Sequence, residues 1–111
     1  MPRQQIGQVE IAFEFNRHVG GKFLHGGVRL RFDSMQQYSF MSQATWPTTD
    51  NYEDAIRTSI EEVLAEKMGR LTSTSVVLLG VTWDVISSCE AGFRMAARAA
   101  TLSAFQSANG P

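Results

Sequence analysis

Between Arg17 and Arg31 the chain carries four cations, Arg17, Lys22, Arg29 and Arg31, two histidines, His18 and His25, and no acid. Guanidinium and ammonium groups gathered on one hairpin can neutralise phosphates, so the chemistry on offer is backbone contact with a nucleic acid. Arg29 and Arg31 share one face of a strand and must meet solvent or a partner. The competing reading is a solvated sheet face on which Glu10 and Glu14 of a neighbouring strand balance the arginines. The net charge of −1 supplies no global pull toward nucleic acid or anionic lipid.

A second constellation, Trp83 to Cys89 (WDVISSC), precedes an alanine-rich helical stretch. Ser87 is placed as the N-cap, with Glu90 at capping-box spacing behind it. Trp83, Asp84, Ser87 and Ser88 would then surround a helix N-terminus, whose free N–H groups and partial positive charge suit a phosphate or carboxylate. An indole there can stack on a base. The competing reading makes Trp83 the core end of a strand and the serines plain caps.

Other candidates fail on chemistry. Gly20-Gly21-Lys22 is not a nucleotide loop, because Phe23 stands where the hydroxyl residue belongs and a strand follows. His18 and His25 lack a third metal ligand. Cys89 reads as an inert thiol, and Glu61, Glu62 and Glu66 as the solvated face of a helix. No catalytic residue, cofactor site or metal ligand is assigned, and an enzyme is not expected.

The elements that must position these groups follow from periodicity. Val9, Ile11, Phe13 and Phe15 alternate with polar residues, predicting a strand with one wet face. Asn16 to Gly21 is a turn, and Val28, Leu30 and Phe32 mark a second strand from near Lys22, bent at Gly26-Gly27. Tyr38 to Ala44 predicts a third, completing an antiparallel meander. Tyr52, Ala55, Ile56, Ile60, Val63, Leu64 and Met68 lie on one face of a helix, with an Asp50–Glu53 capping box before it and Gly69 as its stop. Ser75 to Trp83 is a fourth strand, central and covered on both faces or nearly so. Phe93, Ala96, Ala97 and Ala100 define the last helix. The fold class is α+β: a βββαβα two-layer sandwich, a four-stranded mixed sheet with two helices on one face.

At 111 residues the chain is one domain, with a core near 8–106 and loose ends. One cysteine excludes an internal disulfide and fits a reducing compartment. The first residues lack the apolar run of a secretory signal, and Val76 to Leu79 is far too short to span a bilayer. A cytoplasmic location is expected.

The stretches YEDAIRTSIEEVLAEKMGRL and TSTSVVLLGVTWDVISSCEAGFRMAARAATLSAF resemble domain IV of elongation factor G. Tyr52, Ala55, Ile56, Ile60 and Leu64 fit that family's Y-x-x-A-I-x-x-G-I-x-x-A-L helix. Val85, Ser87 or Ser88, Glu90, Phe93, Ala96 and Ala97 fit its H-x-V-D-S-S-E-x-A-F-x-x-A-A segment. Phe93-Arg94-Met95 also resembles the form found in ribosomal-protection tetracycline-resistance proteins. The resemblance covers residues 20–106 and implies the fold of the second domain of small-subunit ribosomal protein five, with a left-handed βαβ crossover. It implies tip loops that contact RNA or a ribosome. The family's Gly/Arg-rich first tip loop is absent from HVGGKFLHGGVRLRF, its tip histidine falls at Trp83 or Asp84, and this chain carries no GTPase domain.

The expected function is a non-catalytic, domain-IV-like binding module touching RNA or a ribosome-like surface through Arg17, His18, Lys22, His25, Arg29, Arg31, Trp83, Asp84, Ser87 and Ser88. The alternative is a structural protein that pairs with itself or a protein partner through its sheet edge or face, for which the aromatic Tyr38-Phe40-Trp46 region is the sequence signal.

Overall fold

The computed structural model describes residues 8–46, 51–69, 74–84 and 88–109. Its elements run β1 (Val9–Val19), β2 (Lys22–Ser34), β3 (Ser39–Ser42), α1 (Glu53–Met68), β4 (Thr74–Thr82) and α2 (Glu90–Asn109), the predicted βββαβα order.

β1 and β2 form a long antiparallel hairpin closed by Gly20 and Gly21, with φ of 57° and 83°. Two positive-φ residues between paired strands are what a tight type I′ turn demands, and glycine adopts them without a Cβ clash. The turn fixes the register: Val19 opposite Lys22, Asn16 opposite His25, Glu14 opposite Gly27, Val9 opposite Phe32.

The meander expectation fails at β3. The sheet order is β1-β2-β4-β3, with β4 antiparallel to β2 and parallel to β3. β4 holds Val76 and Leu78 fully buried, so the interior gains most by having it central. β3 is four residues long and half wet, and a short edge strand leaves the fewest backbone groups unpaired. Only one face of β4 is fully covered: Thr74, Val76 and Leu78 are buried while Ser75, Val77 and Leu79 are partly exposed. No break in the pairing register accompanies the bend expected at Gly26-Gly27. The β1–β2 register runs through both glycines, and the irregularity sits on β4, where Leu79 is the extra residue between the Arg29–Gly80 and Leu30–Leu78 pairs.

Both helices contribute to one core built on the face of Val28, Leu30, Phe32, Val76 and Leu78. α1 supplies Ile56, Ile60, Val63 and Leu64; α2 supplies Phe93, Ala96, Ala97, Ala100, Ala104 and Phe105. Each fully buried large aliphatic or aromatic side chain contributes about 1.5–3 kcal/mol relative to an exposed one. α1 ends as predicted at Gly69, in the left-handed conformation (φ 80°), with its N–H bonded to the Ala65 carbonyl. Asp50 lies outside the described residues. The Glu53 carboxylate instead accepts hydrogen bonds from Ser42 Oγ (2.6 Å) and Trp46 Nε1 (3.0 Å), tying the β3 exit to the helix start. Glu61, Glu62 and Glu66 are not merely solvated: Glu61 pairs with Arg57, and Arg98 of α2 bridges Glu62 and Glu66 of α1. Burial, then hydrogen bonding to Glu61, pushes the Tyr38 phenol well above its ordinary pKa.

Ser59 is buried in α1, and its hydroxyl has no hydrogen-bond partner among the described residues. A buried polar group left unpaired costs about 1–3 kcal/mol. Ser59→Ala is therefore expected to raise stability by about 1 kcal/mol, read as a higher urea midpoint at unchanged m. A lower midpoint would mean that the hydroxyl is bonded in the folded protein. Among the described residues, no helix is long and apolar enough to cross a membrane.

Candidate functional site

The C-terminal end of β4, the N-termini of both helices and the β1–β2 turn meet at one end of the sheet, because β4 runs parallel to β3 and antiparallel to β2. β4 stops pairing at Thr82–Gly27, so the hairpin continues beyond it as a two-stranded arm. From His25 to Lys22 the arm advances about 10 Å at ~3.3 Å per residue. Arg17, His18, Lys22 and Phe23 are exposed on it. Phe23 is 48% exposed, with the His18 ring tilted against it at 5.4 Å between centroids. The Arg17 guanidinium lies 5.5 Å from the centre of the Phe15 ring, a cation–π contact that props it up at the base of the arm.

The basic block predicted from sequence is two separate groups. Arg17 and Lys22 sit on the arm. Arg29 and Arg31 stand on the open sheet face, opposite Gly80 and Val77, with Lys22 and Arg29 about 23 Å apart along the strand. Neither Arg29 nor Arg31 forms an ion pair among the described residues, although Arg31 is directly opposite Glu10. A shallow hollow of about 510 Å³ lies on that face, lined by Ala12, Glu14, Arg29, Gly80 and Thr82 among others. It exists because Ala12 and Gly80, the residues flanking Arg29 in register, are small.

His25 is not an exposed contact residue: it is 4% exposed. Ser88 returns to β2 beyond the end of β4 and forms an isolated parallel bridge with His25. The imidazole lies between two partners, Glu14 Oε2 at 2.5 Å from Nε2 and Ser88 Oγ at 2.7 Å from Nδ1. Ser88 Oγ also accepts the Asp84 N–H at 2.7 Å, and the His25 carbonyl accepts the Cys89 N–H at 3.2 Å. With the ring neutral, one arrangement satisfies every group: Nε2–H donates to Glu14, and the serine hydroxyl donates to Nδ1 while accepting from Asp84. The order acid, imidazole, hydroxyl is that of an activated serine. Here the enclosed imidazole, bonded to Glu14 of β1 and to Ser88, ties the turn to the arm.

The helix start also differs from expectation. α2 begins at Glu90, and its first turn closes with the Phe93 N–H on the Cys89 carbonyl, which makes Cys89 the N-cap. Gly92, not Glu90, then occupies the capping-box position. Ser87, the predicted cap, and Val85 lie outside the described residues. The helix can start so close to β2 because two glycines meet there. A Cβ on Gly26 would sit 2.5 Å from the Phe93 amide nitrogen, and one on Gly92 would overlap the His25 carbonyl group.

Trp83 is partly buried in an aromatic cluster. Its ring stacks on Tyr52 (5.7 Å, 14°) and on Phe93 (5.7 Å, 26°), while Trp46 meets all three edge-on. The indole therefore braces the turn from inside. Asp84 is exposed beside it. Between the first turns of α1 and α2 a smaller hollow, about 240 Å³, is lined by Asp54, Arg57, Thr58, Glu90 and Arg94 among others. Its guanidiniums are already held by its acids. Among the described residues, no group of three or more His, Cys, Asp or Glu is placed to hold a metal ion.

Glu14, Phe23 and Gly92 are absent from the sequence-predicted set. The first two had a signal: Gly20-Gly21 fixes the hairpin register, which puts Glu14 diagonal to His25 and Phe23 opposite His18. Gly92 had none, since its role depends on where β2 passes the helix.

No protein-family model matches the chain, and no curated protein sequence matches it. Among solved structures, it is similar to the crystal structure of a protein from Thermus thermophilus, with a TM-score of 0.82 and 21% identity. The match covers 96% of this chain and 17% of that one. At that identity the likeness shows the fold: an α+β domain with a four-stranded mixed sheet and two helices, equivalent to a small part of a much longer protein.

Proposed function

We propose that this chain is a non-catalytic binding module of the elongation-factor-G domain-IV type, which presents its tip to RNA on a ribosome-like surface. The observation that carries the reading is the projecting arm, with Arg17 and Lys22 exposed and no acid between Phe15 and Phe32. The turn at Trp83, Asp84 and Ser88 lies beside the arm, held there through His25, so both tip segments face the partner together. The domain-IV resemblance of α1 and α2 supports the same assignment. The single cysteine fits a cytoplasmic setting.

An RNA mobility shift that weakens with salt tests the reading. Arg17→Glu with Lys22→Glu should weaken binding and reduce the salt slope by about 1.4, the value for two phosphate contacts on a single strand. Arg29→Glu with Arg31→Glu, on the sheet face, should do less. Absence of binding to any RNA at low salt would sink the proposal. The second reading, association with a protein or a second copy through the sheet, is favoured by Met41, 60% exposed at the β3 edge. A strictly monomeric species at high concentration would count against self-association.

A further inference from the structure

We infer that Phe23 is a stacking platform for an unpaired base of the RNA, with Arg17 and Lys22, on the reverse face of the arm, drawing the strand's phosphates toward it. The inference rests on the RNA-binding reading and names the ligand class of the same arm.

A large apolar ring at the end of a hairpin normally costs solubility and is either covered or used. Phe23 is 48% exposed and lies outside the buried core and its partly buried margin. Its neighbour opposite in the ladder is His18, whose ring contacts it at a 59° tilt and supports one side. The pair sits next to the glycine turn, where a two-stranded ribbon is thinnest and can enter a space that a helix cannot. Arg17 and Lys22 are the sequence neighbours of His18 and Phe23 and belong to the opposite face of the ribbon. The cations therefore leave the exposed face of the aromatic pair uncovered.

That combination fits single-stranded RNA better than a duplex. An A-form duplex hides its base faces and offers a protein phosphates and 2′-hydroxyls; unpaired bases can be splayed onto an aromatic ring. It also fits nucleic acid better than an apolar protein groove, because two exposed cations, Arg17 and Lys22, stand next to the pair along the ribbon and no acid lies between Phe15 and Phe32.

The experiment compares a fluorescein-labelled oligouridine strand with the same strand annealed to its oligoadenine complement, by anisotropy at low salt. Phe23→Ala should raise the Kd for the single strand about tenfold and leave duplex binding almost unchanged. Phe23→Trp should restore single-strand affinity. Arg17→Glu with Lys22→Glu should weaken both ligands. Phe23 lies outside the core, and an unchanged thermal midpoint for Phe23→Ala checks that the variant is folded. Equal effects on strand and duplex, or none on either, would overturn the stacking assignment and leave RNA binding standing. Failure of the unaltered protein to bind either ligand would remove both. A change in oligomeric state without a change in RNA affinity would make the ring a self-association contact and overturn the inference.

Discussion

Gly92→Ala is expected to destabilise the protein by about 3 kcal/mol or more. In a solvated helix the same change would favour folding by about 1 kcal/mol, because alanine loses less backbone freedom. The opposite sign follows from one contact. α2 crosses β2 so closely that a methyl group at Gly92 would occupy the His25 carbonyl. That neighbour is backbone, fixed in the β1–β2 ladder and bonded to the Cys89 N–H, so it cannot rotate aside as a side chain would. The helix must lift instead, and lifting it withdraws Phe93, Ala96 and Ala97, all fully buried, from the sheet. For a domain of this size the loss corresponds to a thermal midpoint lower by about 12 °C. Gly26→Ala should act similarly, since its methyl would meet the Phe93 and Gly92 backbone. The double variant should cost less than the sum, because one displacement relieves both clashes. A neutral or stabilising Gly92→Ala in urea denaturation would disprove the close approach.

His25→Ala is expected to cost about 2–4 kcal/mol and to loosen the tip selectively. Removing a ring that is 4% exposed leaves a cavity, and it strips Ser88 Oγ of its acceptor. Glu14 loses its donor at little cost, because its side chain is 52% exposed and rehydrates. Ser88→Ala alone should cost about 1 kcal/mol, and the His25/Ser88 double-mutant cycle should show coupling of about 1 kcal/mol. Amide exchange gives the local readout. The Asp84 N–H is bonded to Ser88 Oγ, so its protection should fall further than that of β4. If the tip binds RNA, affinity should fall in both variants, although neither removed group need touch the ligand. Unchanged Asp84 protection would mean that the turn holds its position without the imidazole.

The parts of the fold that depend on neighbours in sequence were legible. Alternation marked β1 and β2, a one-sided apolar face marked α1, and Gly69 marked its stop. The sheet order was not. β2 and β3 are consecutive and a meander satisfies their local pattern equally well; burying Val76 and Leu78 between them puts β4 in the middle, and no local signal records that. The capping-box spacing at Ser87–Glu90 misled for a related reason. The helix start is set by the Cys89 N–H reaching the His25 carbonyl, a contact sixty-odd residues away in sequence.

The candidate site divides the same way. Residue types alone established that the hairpin segment is basic and free of acid and that a polar turn precedes an alanine-rich helix. The turn expected over Asn16 to Gly21 is only Gly20-Gly21, because β1 runs on to Val19, and this sets which residues face each other across the arm. Tertiary structure decided which of those residues face a partner. It separated Arg17 and Lys22 from Arg29 and Arg31, because β4 covers β2 only as far as Gly27. It buried His25, because the chain comes back to β2 there at Ser88, and left Phe23 open. Charge and turn propensity are properties of short segments. Exposure is set by what packs alongside, and here that is decided by where β4 ends and where two glycines let α2 close against the sheet.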